Sequence, residues 1–169
     1  MPRPSATDYY VFYNNYVETA KGDSVAELLI NYSALLNDFV TNLPEAKADY
    51  SYAAGKWTVK ELLQHMIDAE RIFSYRALRI ARKDTTPLPG FDENSYAANA
   101  DVSSKTFQSL KEEFVAVRQS TDLLLQSFSE EQLQQVGTTS NHSITVNAIC
   151  FIIFGHILHH KRILEERYL

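Results

Sequence analysis

Apolar positions recur at three- and four-residue spacing through most of this chain, and strict apolar/polar alternation is scarce, so the pattern predicts an all-α protein. The first long amphipathic run is "SVAELLINYSALLNDFVTNLP", where Ser24 followed by Glu27 has capping-box spacing and Pro44 ends the run. A second run, "TVKELLQHMIDAERIFSYRALRIARKD", repeats that spacing with Thr58 and Glu61 and places Leu62, His65, Ala69, Ile72 and Phe73 on one stripe. His65 is therefore expected to face inward. Residues 84–104, "DTTPLPGFDENSYAANADVSS", contain Pro87, Pro89 and Gly90 and show no helical period, which predicts a long connection. A third helix is expected from about Lys105 to Phe128, then a short one opened by Ser129, a turn "GTTSNHS", and a last helix capped by Ser143 that runs almost to Leu169. Four main helices with a long crossover between the second and third predict a four-helix bundle of non-simple connection. A single domain over residues 1–169 is expected, with residues 1–22 as an arm packed by its tyrosines.

Composition narrows the function classes. A chain of 169 residues that is 45% hydrophobic supports one core. Its net charge of -5 argues against a nucleic-acid partner, because phosphate binding needs a basic surface. The lone Cys150 sits within "NAICFIIF", has no internal partner and reads as a small buried hydrophobe in a reducing compartment. The segment "MPRPSATDYYVFYNNYVETA" lacks the apolar stretch of a secretory signal, so a cytoplasmic location is expected. The longest apolar stretch, "ITVNAICFIIFGHIL", is broken by Asn147, Gly155 and His156 and falls short of the ~20 residues that cross a bilayer, so no membrane partner is expected.

The candidate chemistry lies in the histidines. His156 and His160 are four residues apart and share one helix face, close to Ile149, Ile153 and Ile163, so they point into the core. His159 is turned from His156 by about 60°. Burying two neighbouring imidazoles costs desolvation and leaves ring nitrogens in need of partners. A divalent cation would meet both needs, but a helix pair supplies only two ligands, and His65 is the inward histidine on another helix. The competing reading is that each ring bonds a carbonyl or carboxylate, since the HxxxH spacing also arises by chance. His142, in a turn, is expected to be solvated.

Asp68, three residues after His65, is a candidate catalytic group that could orient an imidazole or take a proton; alternatively it is a surface carboxylate paired with a Lys or Arg. Glu70, about 140° from His65, is a weaker candidate. Arg76, Arg79 and Arg82 are expected to pair with Asp92 and Glu93 and pin the following loop, with recognition of a substrate or thiol carboxylate as the alternative. Trp57 reads as a core anchor.

Taken together and in this order, "GKWTVKELLQHMIDAERIFSYRALRIARKD", "LPGFDENSY" and "GHILHHKRILEERYL" resemble the DinB-like superfamily, and the arm with "YYVFYNNYV" also fits. The resemblance implies a four-helix bundle with a three-histidine divalent-metal site, its ligands by position being His65, His156 and His160, with His159 matching an additional histidine outside the ligand set. It also implies kinship with metal-dependent hydrolases and with bacterial enzymes that use low-molecular-weight thiols. The cofactor expected is a divalent metal ion, zinc first, with nickel, manganese or iron as alternatives, together with a low-molecular-weight thiol. The partners expected are a small-molecule substrate and a second copy in a homodimer. Three neutral ligands leave coordination positions open, so thiol S-transfer is the leading expectation, with hydrolysis next and a non-catalytic metal-binding structural or sensing role as the alternative class.

Overall fold

The structure, a computed structural model, describes residues 1–169. Its frame is a four-helix bundle made of α2 (Val25–Thr41), α3 (Val59–Ala81), α5 (Phe107–Gln126) and α7 (Val146–Arg167). Shorter helices are α1 (Asn14–Thr19), α4 (Glu93–Asn99) and α6 (Glu130–Leu133), and strands β1 (Val136–Thr139) and β2 (His142–Thr145) form an antiparallel hairpin. Local sequence sets the helix starts. Ser24 accepts from the Glu27 amide, and Thr58 and Glu61 form a reciprocal capping box that satisfies otherwise orphaned N–H groups.

In the bundle, α3 packs on α5 and α7, and α2 packs on the same two helices. Helices consecutive in the main frame, α2/α3 and α5/α7, therefore face each other across diagonals, while the long connection after α3 leads to a packed neighbour. The consequence for function is that α3 and α7 lie side by side, so inward residues of each meet. One apolar cluster of 37 buried residues, from Tyr9 to Tyr168, fills the space between the elements. No helix is long and apolar enough to cross a membrane.

The N-terminal arm is tied down by polar contacts. Arg3 donates to the carbonyls of Val17, Ala20 and Gly22 at the C-terminal end of α1, and Asn147 Nδ2 donates to the Pro2 carbonyl at 2.9 Å. At Gly155 a Cβ would stand 2.0 Å from the Tyr16 carbonyl oxygen, so only glycine allows α1 to lie this close to α7.

Two expectations from the sequence need correction. The connection over residues 84–104 is not without helix: Asp92 accepts from the Ser95 amide at 2.7 Å and starts α4, which buries none of its residues and so left no apolar period to read. The "GTTSNHS" segment is the β1–β2 hairpin, and the cap of α7 is Thr145, which accepts from the Ala148 amide, not Ser143. Thr139 pairs with His142, leaving Ser140 and Asn141 as a two-residue turn with φ of 49° and 67°. Positive φ at both positions matches the twist of a hairpin, and Asn tolerates it better than most residues. Leu88 joins this sheet through two backbone hydrogen bonds, donating to the Thr138 carbonyl and accepting from the Ser140 amide, each 2.9 Å.

Candidate metal centre

The side-by-side packing of α3 and α7 brings three imidazoles together. His65 Nε2 lies 3.1 Å from His156 Nε2 and 3.2 Å from His160 Nε2, and the last two are 3.1 Å apart. All three residues are buried. Tyr16 of α1 meets the His156 ring edge-on at 5.5 Å, Phe73 lies 5.8 Å from the same ring, and Trp57 packs 4.9 Å from His65. Trp57 is thus a half-buried wall of the centre as well as an apolar anchor.

Protons alone cannot satisfy this triangle. Each Nε2 either carries a hydrogen or presents a lone pair, and a hydrogen bond needs one of each. Three mutually close atoms of two kinds always include a matched pair, so at least one contact sets donor against donor or lone pair against lone pair. Charge is also disfavoured: burial lowers the His65 pKa to about 4. Burial, reinforced by the neighbouring histidines, takes His156 and His160 well below the usual imidazole range. Three neutral rings whose Nε2 lone pairs converge are the donor set that a divalent cation takes. Ligands about 2.0–2.1 Å from a shared ion stand roughly 2.8–3.0 Å from one another in an octahedral and 3.3–3.4 Å in a tetrahedral arrangement, and the observed separations fall between the two. His160 Nδ1 is buried without a partner, so packing, including the His159 ring at 5.1 Å, holds this imidazole in place of a hydrogen bond.

Two cavities flank the cluster. The first, of 260 Å³, is bounded by His65 and His156, by aromatic rings that include Tyr13, Tyr16 and Phe73, and by Arg76 and Glu93. The second, of 250 Å³, reaches His160 between Trp57 and Tyr168 and is bordered by Asn94. Glu93 and Asn94 are adjacent on α4, so the first turn of that helix borders both cavities. The "GFDENSY" loop thereby rims the centre.

Other candidate residues lie elsewhere. Asp68 is half-buried, accepts from Gln64 Nε2 at 2.9 Å and stands 3.8 Å from Arg71 Nη1; burial raises its pKa, and both polar partners are α3 side chains, neither an imidazole. Glu70 is a buried ion-pair partner of Arg118. His159 is half-buried beside Tyr16 and His160, with its Nε2 and Nδ1 outside the triangle. His142 is exposed and stacks on Tyr10, ring centroids 3.7 Å apart, beside the mouth of the first cavity. The expected pairing of the three arginines with Asp92 and Glu93 does not form. Arg76 donates to the Pro89 carbonyl at 2.6 Å, and Arg79 pairs with Asp84 and Tyr75, because the chain just past α3 folds back so that the Asp84 amide bonds the Arg79 carbonyl. Tyr16, Glu93 and Gly155 take places at or beside the centre that the sequence pattern does not assign them. The only advance signal was Gly155 directly before His156 in an otherwise bulky run.

Comparison with known proteins identifies the family. The DinB superfamily model matches residues 31–164. The chain belongs to the DinB superfamily. A relative from Oceanobacillus iheyensis named "Putative metal-dependent hydrolase" is 27% identical over 105 residues, covering 62% of this chain and 60% of the relative. A Bacillus pumilus protein of the same name is 30% identical over 80 residues, covering 47% and 43%. The DinB-like chain thus aligns with less than two thirds of the length of either relative. Among solved structures, YfiT from Bacillus subtilis, described as a probable metal-dependent hydrolase with an unusual four-helix bundle topology, superposes with a TM-score of 0.68 at 17% identity, covering 96% of this chain and 89% of that one. At that identity the match speaks for the fold.

Proposed function

We propose that this chain is a metal-dependent enzyme in which His65, His156 and His160 hold one divalent cation, zinc by preference, and that it hydrolyses a small-molecule substrate entering through the first cavity. The observation that carries the reading is the triangle of Nε2 atoms, which hydrogen bonding cannot satisfy and a shared cation can. A cation held by three neutral imidazoles keeps its full charge and open positions, and supplies Lewis acidity that lowers the pKa of water or a thiol.

The rest of the chemistry falls to this chain's own residues. Glu93 is the one carboxylate bordering the first cavity, it is exposed, and it makes no side-chain hydrogen bond, so it is free to accept a proton from the attacking nucleophile. Asp68, engaged by Gln64 and Arg71, is a poorer base. Tyr16 and Phe73, packed against His156, hold that ring's orientation and exclude water from one side of it. Thiol S-transfer, the leading expectation from the sequence, becomes the second reading. It is favoured by the lack of any carboxylate hydrogen-bonded to the cluster, since a thiol ionises more readily than water and needs less help from a base.

Metal-loaded protein offered a panel of esters and amides, and in parallel a panel of bacterial thiols with a chlorodinitrobenzene electrophile, separates the two. Hydrolysis that disappears in His65→Ala, drops about 100-fold in Glu93→Gln and is little changed in Asp68→Asn supports the first reading. Metal-dependent thiol transfer without hydrolysis supports the second. Equal rates in wild type and His65→Ala would remove the metal from the chemistry.

A further inference from the structure

Two arginines are deeply buried in this protein, and only one has counter-ions. Arg118 is fully buried and pairs with Glu70 and Asp122. Arg76 is 3% exposed yet makes no salt bridge; its hydrogen bonds go from Nη2 to the Pro89 carbonyl at 2.6 Å and, at the limit of bonding, to Ser140 Oγ at 3.5 Å. Its guanidinium lies 5.9 Å from each of the Phe73 and Phe91 ring centroids and borders the first cavity, where it is the only Lys or Arg. The Tyr13 hydroxyl lies beside the guanidinium, and no carboxylate pairs with it.

A buried charge without a carboxylate is costly unless something else answers it. The aromatic rings and the Tyr13 hydroxyl offset part of that cost, but none of them brings a full negative charge to the guanidinium. Holding the loop does not require the charge either, because Leu88 is already fixed to the hairpin by two backbone hydrogen bonds and a neutral donor would serve for the Pro89 carbonyl. What a guanidinium offers beyond a neutral donor is a planar fork that grips an oxyanion with two parallel bonds. Phe73 spans the gap between this fork and the cluster, since its ring is also 5.8 Å from His156, so a small molecule could touch both.

We propose that Arg76 is the anion-binding anchor of the first cavity and that the substrate is a small monoanionic acid, its carboxylate on Arg76, its apolar body against Phe73 and the tyrosines, and its reacting bond toward His65 and His156. This deepens the metal-dependent reading, on which it rests for the position of the reacting bond alone. A single guanidinium, with Glu93 on the same cavity, suits the one negative charge of a carboxylate at the anchor better than the two of a phosphate monoester.

The test is a binding measurement on both metal-free and zinc-loaded protein, with benzoate, phenylacetate and hexanoate as probes and their neutral amides as controls. Calorimetry and the Arg76 Nε–H resonance provide the readouts. The metal-free protein should bind at least one acid about tenfold more tightly than its amide, with a shift of the Arg76 resonance, and Arg76→Met should abolish that preference. Arg76→Lys, which retains charge without the fork, should keep only part of it. Circular dichroism and zinc content confirm that the variants are folded; should they not be, the resonance shift in the wild-type chain decides. Acid preference that survives Arg76→Met, an unshifted resonance, or no binding by any probe up to tens of millimolar overturns the anchor. Preference seen only with zinc and lost in His65→Ala would place the carboxylate on the metal, overturning the anchor and leaving the metal reading intact. Preference in a protein that takes up no metal would keep the anchor and sink that reading.

Discussion

At Glu70 a buried charge on α3 is answered from within the protein: Arg118 of α5 donates to its Oε1 at 2.8 Å, pairs also with Asp122, and lays its guanidinium 4.6 Å from the Phe154 ring. At His65, five residues earlier on the same helix, the neighbours across the interface are two more imidazoles, and nothing in the protein supplies the positive charge that three lone pairs require. Both clusters are buried and both join α3 to another helix. The first contains its own counter-ions and needs no ligand, although Glu70 Oε2 and Arg118 Nε stay unpaired and burial raises the Glu70 pKa. The second repeats one kind of group three times. Burial of polar groups by itself therefore does not mark a functional site; the mark is a buried set whose members cannot satisfy one another.

The sharpest way to break this contrast is to remove one imidazole. His160→Ala should abolish tight zinc binding, because two ligands remain from three, whereas His159→Ala should keep about one zinc per chain; metal analysis after dialysis reads both. Equal losses would mean that His159 belongs to the ligand set. On the other cluster, Arg118→Met should destabilise the fold by about 3–5 kcal/mol in urea denaturation, because Glu70 and Asp122 lose their buried partner, while the folded variant still binds zinc. A variant as stable as the wild type would show that the ion network contributes little.

Acid separates the clusters by sign. Unfolded histidine takes a proton near pH 6.5, but His65 in the fold resists protonation until about pH 4. The unfolded chain thus binds more protons in that window, and metal-free protein should lose stability as pH falls through it, by roughly 3 kcal/mol from His65 alone, with His156 and His160 adding in the same direction. Zinc affinity should fall over the same range through proton competition. A flat stability profile there would mean that the imidazoles are not buried as neutral groups. The smallest effect expected is at Gly155→Ala, where the new methyl meets the Tyr16 backbone and α1 must shift, costing about 1–3 kcal/mol while leaving the three histidines in place. Thermal denaturation together with zinc content checks both halves.

The bundle and the cluster were legible because both write themselves in helical period. The Ser24 cap and the Thr58–Glu61 capping box marked the starts of α2 and α3, and the phase of His156 and His160 against Ile149 and Ile153 turned them inward toward His65. The hairpin was missed because its strands are only four residues each and its turn is Ser140-Asn141 in place of the commoner Asn-Gly. Helix α4 was missed because it buries nothing, and with it Glu93 as a cavity residue. The arginines were read through sequence proximity to Asp92 and Glu93, whereas Arg76 is turned inward and Arg79 finds Asp84 first. Which acids a loop brings within reach is a tertiary property that helix phase does not encode.

The most direct test is X-ray absorption at the zinc edge on protein loaded with zinc and dialysed, with metal content measured on the same sample. One zinc per chain surrounded by three imidazole nitrogens at about 2.0–2.1 Å, plus light scatterers that exchange with added ligand, is the result predicted by the Nε2 triangle. A chain that takes up no zinc, nickel or manganese, or whose metal sits on two or fewer imidazoles and survives in His65→Ala, would contradict it.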